Sequence, residues 1–199
     1  MQLVENTEIP VASLPLAEFR AHLRLGSGFG EETLQDSVLE GFLRAAIAAV
    51  EARTGKVLLQ RSFDLTLAEW RDQTGQVLPV APVSAVLAVQ LVNEDGGSDT
   101  LASDRYRLDV DQHHPVLRPT AAILPMVASG GHVLVTFEAG FGEEWTDVPV
   151  DLGQAVMMLA AHFYEYRHET ALSGGCMPFG VTSLIERHRP LRIGLGGQA

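Results

Sequence analysis

Residues 31–67, EETLQDSVLEGFLRAAIAAVEARTGKVLLQRSFDLTL, change their hydrophobic period partway along, and that change sets the fold class. In the first part Leu34, Val38, Phe42, Ala45, Ala46 and Val50 recur at spacings of three and four. Glu32, Gln35, Asp36, Glu40, Arg44 and Glu51 fall largely elsewhere, as in an amphipathic helix. Glu31 and Glu32 suit the positive end of the helix dipole, and Gly55 suits a left-handed C-terminal cap. At ~1.5 Å per residue, the helix predicted over Glu31 to Thr54 is roughly 36 Å long. From Val57 the period becomes two. Phe63, Leu65 and Leu67 alternate with Asp64 and Thr66, as a half-buried strand requires.

Upstream, Leu16, Phe19 and Leu23 line one face of a short helix over Leu16 to Leu25, which Gly26, Gly28 and Gly30 end. Downstream, the Val- and Ala-rich stretch Val83 to Val92 reads as a strand, and Asn93-Glu94-Asp95-Gly96-Gly97 as a turn. Tyr106, Leu108 and Val110 alternate, Asp111 to Pro115 turns, and Val133, Val135 and Phe137 form the last alternating set. At least four strands at hairpin-like intervals imply an antiparallel sheet or small barrel. Helix returns after Trp145, with Asp147 as expected N-cap and Pro149 in the first turn. Leu152, Ala155, Val156, Leu159, Phe163 and Tyr166 mark its apolar face, Ser173-Gly174-Gly175 ends it, and a short helix runs from Val181 to His188. The expected class is α+β, a helical core from both ends of the chain with an inserted antiparallel β subdomain. The segments are 1–56 (helical), 57–142 (β), 143–189 (helical) and 190–199, a flexible tail.

Of the 199 residues 46% are hydrophobic, enough for a real core, and the formal net charge is −11. An acidic surface repels phosphate backbones, which disfavours a general nucleic-acid binder but not a protein that DNA passes without sticking. Cys176 is the single cysteine, so an intrachain disulfide, a zinc ribbon and a CxxC redox motif are all excluded. Met1 to Pro10 lacks the basic start of a secretion signal. The longest apolar run, Val77 to Val92, is broken by Pro79, Pro82 and Gln90 and falls short of the ~20 residues of a membrane span. A soluble chain is expected.

Several residues bear chemistry. His113 and His114, with Asp109 and Asp111, could bind metal, but no spaced partner motif accompanies them and a solvated turn explains them. His162, Glu165 and Glu169 share a helix face, yet the second Glu-bearing helix of a di-iron site has no matching motif. Glu143, Glu144 and Asp147 beside Trp145 read as an exposed turn rather than a glycosidase pair. Gly26 to Gly30 lacks the Lys-Ser/Thr of a phosphate loop and is followed by glutamates. Arg187, His188, Arg189 and Arg192, interleaved with Ile185, Leu191, Ile193 and Leu195, suit a segment that folds onto a partner. No convergent catalytic set emerges, and no cofactor is expected. A small metal-dependent hydrolase using His113, His114 or the His162–Glu165 face, and a small-ligand-binding β module, are the readings from other classes.

The order of segments resembles the phage head–tail connector (adaptor) family, as in siphophage-like particles and gene transfer agents. The similar pieces are Leu23-Arg24-Leu25, Ala45 through Leu58, Phe63 through Trp70, Leu78 through Val83 and Tyr106 through Asp109. Val135 through Gly142, Val148-Pro149, Tyr164 through Arg167 and Pro178 through Arg192 complete the set. No single piece is specific; their order and spacing carry the likeness. The loops 93–104 and 111–129 match no family pattern. The resemblance implies a non-enzymatic subunit of a ring of about twelve copies in the neck of a virion or phage-like particle, assembled in the bacterial cytoplasm. Its partners would be other copies, the portal protein and a tail or stopper protein, with DNA passing through the lumen and no membrane involved. Ile185, Arg187, Arg189, Leu191, Arg192 and Ile193 become the candidate portal-docking residues, and Leu34, Val38, Phe42, Leu159, Phe163 and Tyr166 the candidate ring-packing residues. Another neck or tail-completion role is the nearest alternative.

Overall fold

Gly55 takes the chain out of its longest helix with a φ of +67°, a conformation that costs glycine nothing, and its N–H closes on the Glu51 carbonyl at 2.8 Å. The structure, a computed structural model, describes residues 1–25, 32–167 and 177–189, with side chains 32–34 excepted. The Leu34 side chain and Glu169, Cys176, Leu191, Arg192 and Ile193 lie outside the described residues, as do the glycines at 26, 28 and 30, those at 174 and 175, and the expected tail.

The chain runs β1 (Gln2–Glu5), α1 (Leu16–His22), α2 (Glu32–Thr54), β2 (Arg61–Leu67), β3 (Gln76–Val77), β4 (Val83–Val92), β5 (Ser98–Thr100), β6 (Tyr106–Asp109), β7 (Val116–Pro119), β8 (His132–Ala139), α3 (Val150–Glu165) and α4 (Phe179–Ile185). The class is α+β, as expected. All strand pairs are antiparallel, in a five-stranded sheet ordered β1-β2-β8-β4-β5 and a three-stranded sheet ordered β3-β7-β6. Phe63, Leu65 and Leu67 are all buried, and Leu65 pairs with Val135 of β8. The alternation read from the sequence therefore points inward as the period of two requires. Gly140 just after β8 is obligatory: at φ +139° a Cβ would sit 2.4 Å from the Gln60 Cα.

Two hydrophobic cores result. One lies among α1, α2, α3 and α4 and is filled by Phe19, Leu43, Ile47, Leu152, Val156 and Val181. The other lies between the sheets and is filled by Phe63, Leu65, Val89, Leu117, Val135 and Phe137. Burying one such side chain contributes about 1.5–3 kcal/mol, so each core is a substantial source of stability. Arg61, 7% exposed, ties them together: it donates to Glu51 of α2 at 2.5 Å and to Glu5 of β1 at 2.9 Å.

Several expectations need correction. The buried face of α2 is Leu39, Leu43, Ala46, Ile47 and Val50, while Val38 is 50% exposed and Ala45 is exposed. The run AAIAAV offers apolar residues on more than one face, and the face with the larger aliphatic side chains took the core. Asp147 does not cap α3. It ends a 3-10 turn over Trp145–Asp147, accepting the Glu144 N–H at 3.1 Å, and Pro149 holds the N-cap position. The last helix is α4 followed by a 3-10 turn, Glu186–His188. Two ring-packing and docking candidates are used up inside the protomer: Leu159 is 2% and Ile185 1% exposed, both in the helical core.

Candidate functional site, a basic cleft between the two cores

Lys56 follows the Gly55 cap directly, so the end of α2 fixes where its side chain begins. It is 3% exposed and is the only lysine in the chain. Its Nζ donates to the Gln112 carbonyl and lies 3.1 Å from His113 Nδ1. Among the described residues no carboxylate lies within ion-pair distance of it. Burial pushes the ammonium below the ordinary lysine value, with Asp111 opposing from farther off.

The β6–β7 turn is shaped by Asp111, whose Oδ1 accepts the N–H groups of His113 at 2.7 Å and His114 at 2.6 Å. Those two bonds lower the Asp111 carboxyl below its usual range. The turn sends the two rings apart, with centroids 6.5 Å from each other: His113 faces Lys56 while His114 is exposed. His113 is pushed down by burial and by the Lys56 charge, which favours a neutral ring.

On the facing side Asp151, in the first turn of α3, holds the C-terminal pair. Its Oδ2 lies 2.7 Å from His188 Nε2 and 2.6 Å from Arg187 Nε, and its buried Oδ1 has no partner among the described residues. Burial raises its carboxyl, but the bond and charge of His188, the Leu152 N–H and Arg187 together outweigh this and hold it low. Lys56, Gln112, His113 and Pro82 from the β side face Phe141, Pro149, Arg187 and His188 from the helical side across a cleft of about 370 Å³.

Two features that the sequence keeps 74 residues apart, the His113 turn and the Arg187-His188 pair, thus meet. Lys56 and Asp151 escaped the sequence reading. A sole lysine after a helix cap was the visible signal for the first, and nothing local marked the second. The remaining candidates do not join them. His162 lies against Tyr166, with ring centroids 4.6 Å apart, and no polar contact links it to Glu165. Glu144 and Asp147 exchange bonds within their turn. Arg189 lies 3.4 Å from Glu186 at the surface. Among the described residues no three His, Cys, Asp or Glu side chains could hold a metal ion. No helix there is long and apolar enough to cross a membrane.

Fold and cleft define an α+β chain with a charged recess between its two cores. Neither a family model nor a curated protein matches it. Solved structures do, among them three of gene transfer agent particles. The neck of an empty gene transfer agent particle, computed with C6 symmetry, contains a chain 48% identical, with all of both chains covered and a TM-score of 0.90. The virion of a native gene transfer agent particle contains one 48% identical, with 99% of each chain covered and a TM-score of 0.86. The neck of a native particle, computed with C12 symmetry, contains one 45% identical, again with full coverage of both and a TM-score of 0.85. The chain belongs to the phage head–tail connector-like family.

Proposed function

We propose that the chain is a structural, non-catalytic subunit of the neck of a phage-like or gene transfer agent particle, one of a ring of about twelve copies between portal and tail. The observation that carries this reading is the identity of 45–48% over the full length with chains from neck and virion structures, two of them computed with C6 and C12 symmetry. Cyclic symmetry joins one surface of each copy to a different surface of the next, head to tail. DNA would pass through the lumen unbound, since a protomer of net charge −11 gains nothing from phosphate contacts. We read the sheets as a subdomain, residues 57–142 with β1 added at its edge, set between helical segments.

The ring contact falls on the outer face of α2. Val38, Gly41, Ala45, Ala48 and Ala52 are all exposed and follow one another at spacings of three, four, three and four. Small side chains there let another helix approach closely. Phe42, in edge contact with Tyr164 at 5.9 Å, flanks this stripe, and Phe163 and Tyr166 extend the apolar surface at the end of α3. Portal docking falls to Arg187 and Arg189, with Leu191, Arg192 and Ile193 beyond them.

Particles produced with Ala45→Glu and Ala48→Glu together are expected to lack the chain in their necks and to fail in joining heads to tails. The isolated variant should melt within about 0.5 kcal/mol of wild type, as exposed substitutions do. Normal particles from that variant would remove the α2 contact. Normal particles from a strain lacking the chain would remove the function.

A further inference from the structure

An ammonium taken out of water without a carboxylate beside it is costly, and folded proteins hold such groups where something else supplies the charge. Among the described residues, Lys56 is in that position. It is 3% exposed, and of its three N–H donors the described residues engage two, through the Gln112 carbonyl and His113 Nδ1. Across the cleft Arg187 is 72% exposed and held only by its Nε, so its two Nη nitrogens have no partner among the described residues. His188 stands beside it, leaning on Asp151. Asp151 is committed to His188 and Arg187 and forms no ion pair with Lys56.

We infer that this cleft receives an aspartate or glutamate side chain from a second copy of this chain, its carboxylate bridging Lys56 Nζ and the free edge of Arg187. The inference rests on the ring reading above. Charge and symmetry select the occupant. The chain carries 25 acidic against 14 basic residues, so a neighbouring copy presents carboxylates in excess. The solved relatives come from necks computed with cyclic symmetry, in which identical chains adjoin. A bidentate arginine with a buried ammonium opposite is suited to a planar carboxylate and gives a geometrically specific, charge-assisted contact. The recess would then act as a register pin: the α2 faces supply area, and the carboxylate fixes how far one copy rotates against the next.

The single lysine makes the test direct. A water-soluble carbodiimide joins an amine to a carboxylate in contact, and Lys56 is the only side-chain amine available. Particles assembled from a mixture of unlabelled and nitrogen-15-labelled copies are treated beside the isolated chain, and linked peptides are read by mass spectrometry. The expected result is a Lys56 link to an aspartate or glutamate of another copy, in particles and not in the isolated chain. A Lys56 link only within one copy, a link to a different protein, or no Lys56 link in particles overturns the inference. As a second arm, Lys56→Met should enter necks at least tenfold less than wild type while melting no lower, and Lys56→Arg should recover most of the loss. Wild-type entry of Lys56→Met also overturns it. Failure of the ring reading is visible separately, since the unmodified chain would then be missing from necks or present there as a lone copy.

Discussion

Two buried cations sit five residues apart at the seam between the helical and β layers, and their surroundings differ sharply. Arg61 is surrounded by acceptors: Glu51 at 2.5 Å, Glu5 at 2.9 Å and the Leu59 carbonyl at 3.3 Å, with the Phe63 ring 5.5 Å below its guanidinium. Lys56 is the more buried of the two, yet among the described residues it has a carbonyl and a neutral imidazole and no carboxylate. Depth of burial is therefore a poor guide to a charge's role, and the partner set is the better one. A cation with its full complement holds the protomer together. One without it waits for, or tolerates, something outside.

The comparison breaks first, if at all, at Arg61. Replacing it with Met leaves Glu51 buried without its cation, which should cost about 3–5 kcal/mol in urea unfolding at neutral pH. Burial already raises the Glu51 carboxyl above its ordinary value, against the pull of Arg61. Between the ordinary and the raised value the native state binds more protons than the unfolded one, so the contribution of Glu51 to stability falls as pH rises through that window. Without Arg61 the raising is greater, and the deficit of the variant should shrink as pH is lowered from neutral toward the ordinary carboxylate value. A deficit that is constant over this range would assign the loss to packing.

A middle-sized effect is expected at Asp111. Alanine there removes the acceptor of two backbone N–H groups and should lower the urea midpoint by less than Arg61→Met does. Hydrogen exchange should quicken at the amides of His113 and His114 before it does elsewhere. Unchanged exchange at those amides would mean that the turn holds its shape without the carboxylate.

The smallest effect, and the one of opposite sign, is expected at Lys56. Met should leave the isolated protomer within about 1 kcal/mol of wild type, on the stable side. The folded Lys56 value is depressed. Between that value and the ordinary lysine value the unfolded chain binds the extra proton, so wild-type stability gains as pH rises through the window. The advantage of the Met variant should therefore be largest at neutral pH and fade toward the alkaline side. A Lys56→Met loss as large as that at Arg61 would end the contrast between the two.

The elements with a strong internal period were legible in the sequence. Alternation at Phe63, Leu65 and Leu67 located β2 and its buried side, and Gly55 marked the end of α2. The N-terminal strand was missed because Gln2–Glu5 has no length over which a period can be counted; it exists through pairing with β2. The core face of α2 was misjudged because AAIAAV is apolar around much of its circumference, and only the packing against α3 chooses a side. For the cleft, His113 and Arg187 stood out as residue types, but their meeting depends on the β6–β7 turn reaching the end of α2 and on the last turn folding back over Asp151. Such long-range closure leaves no local mark.

The margins of the larger sheet bear on how such copies coexist. One ends in β1, four residues long, and the other in β5, three residues long, wholly exposed and carrying Asp99. Short, charged borders give a foreign strand almost no ladder to extend. Proteins crowded side by side at high local concentration are prone to open-ended stacking through their sheets. These borders oppose that route, and the ring proposed above would grow through other surfaces.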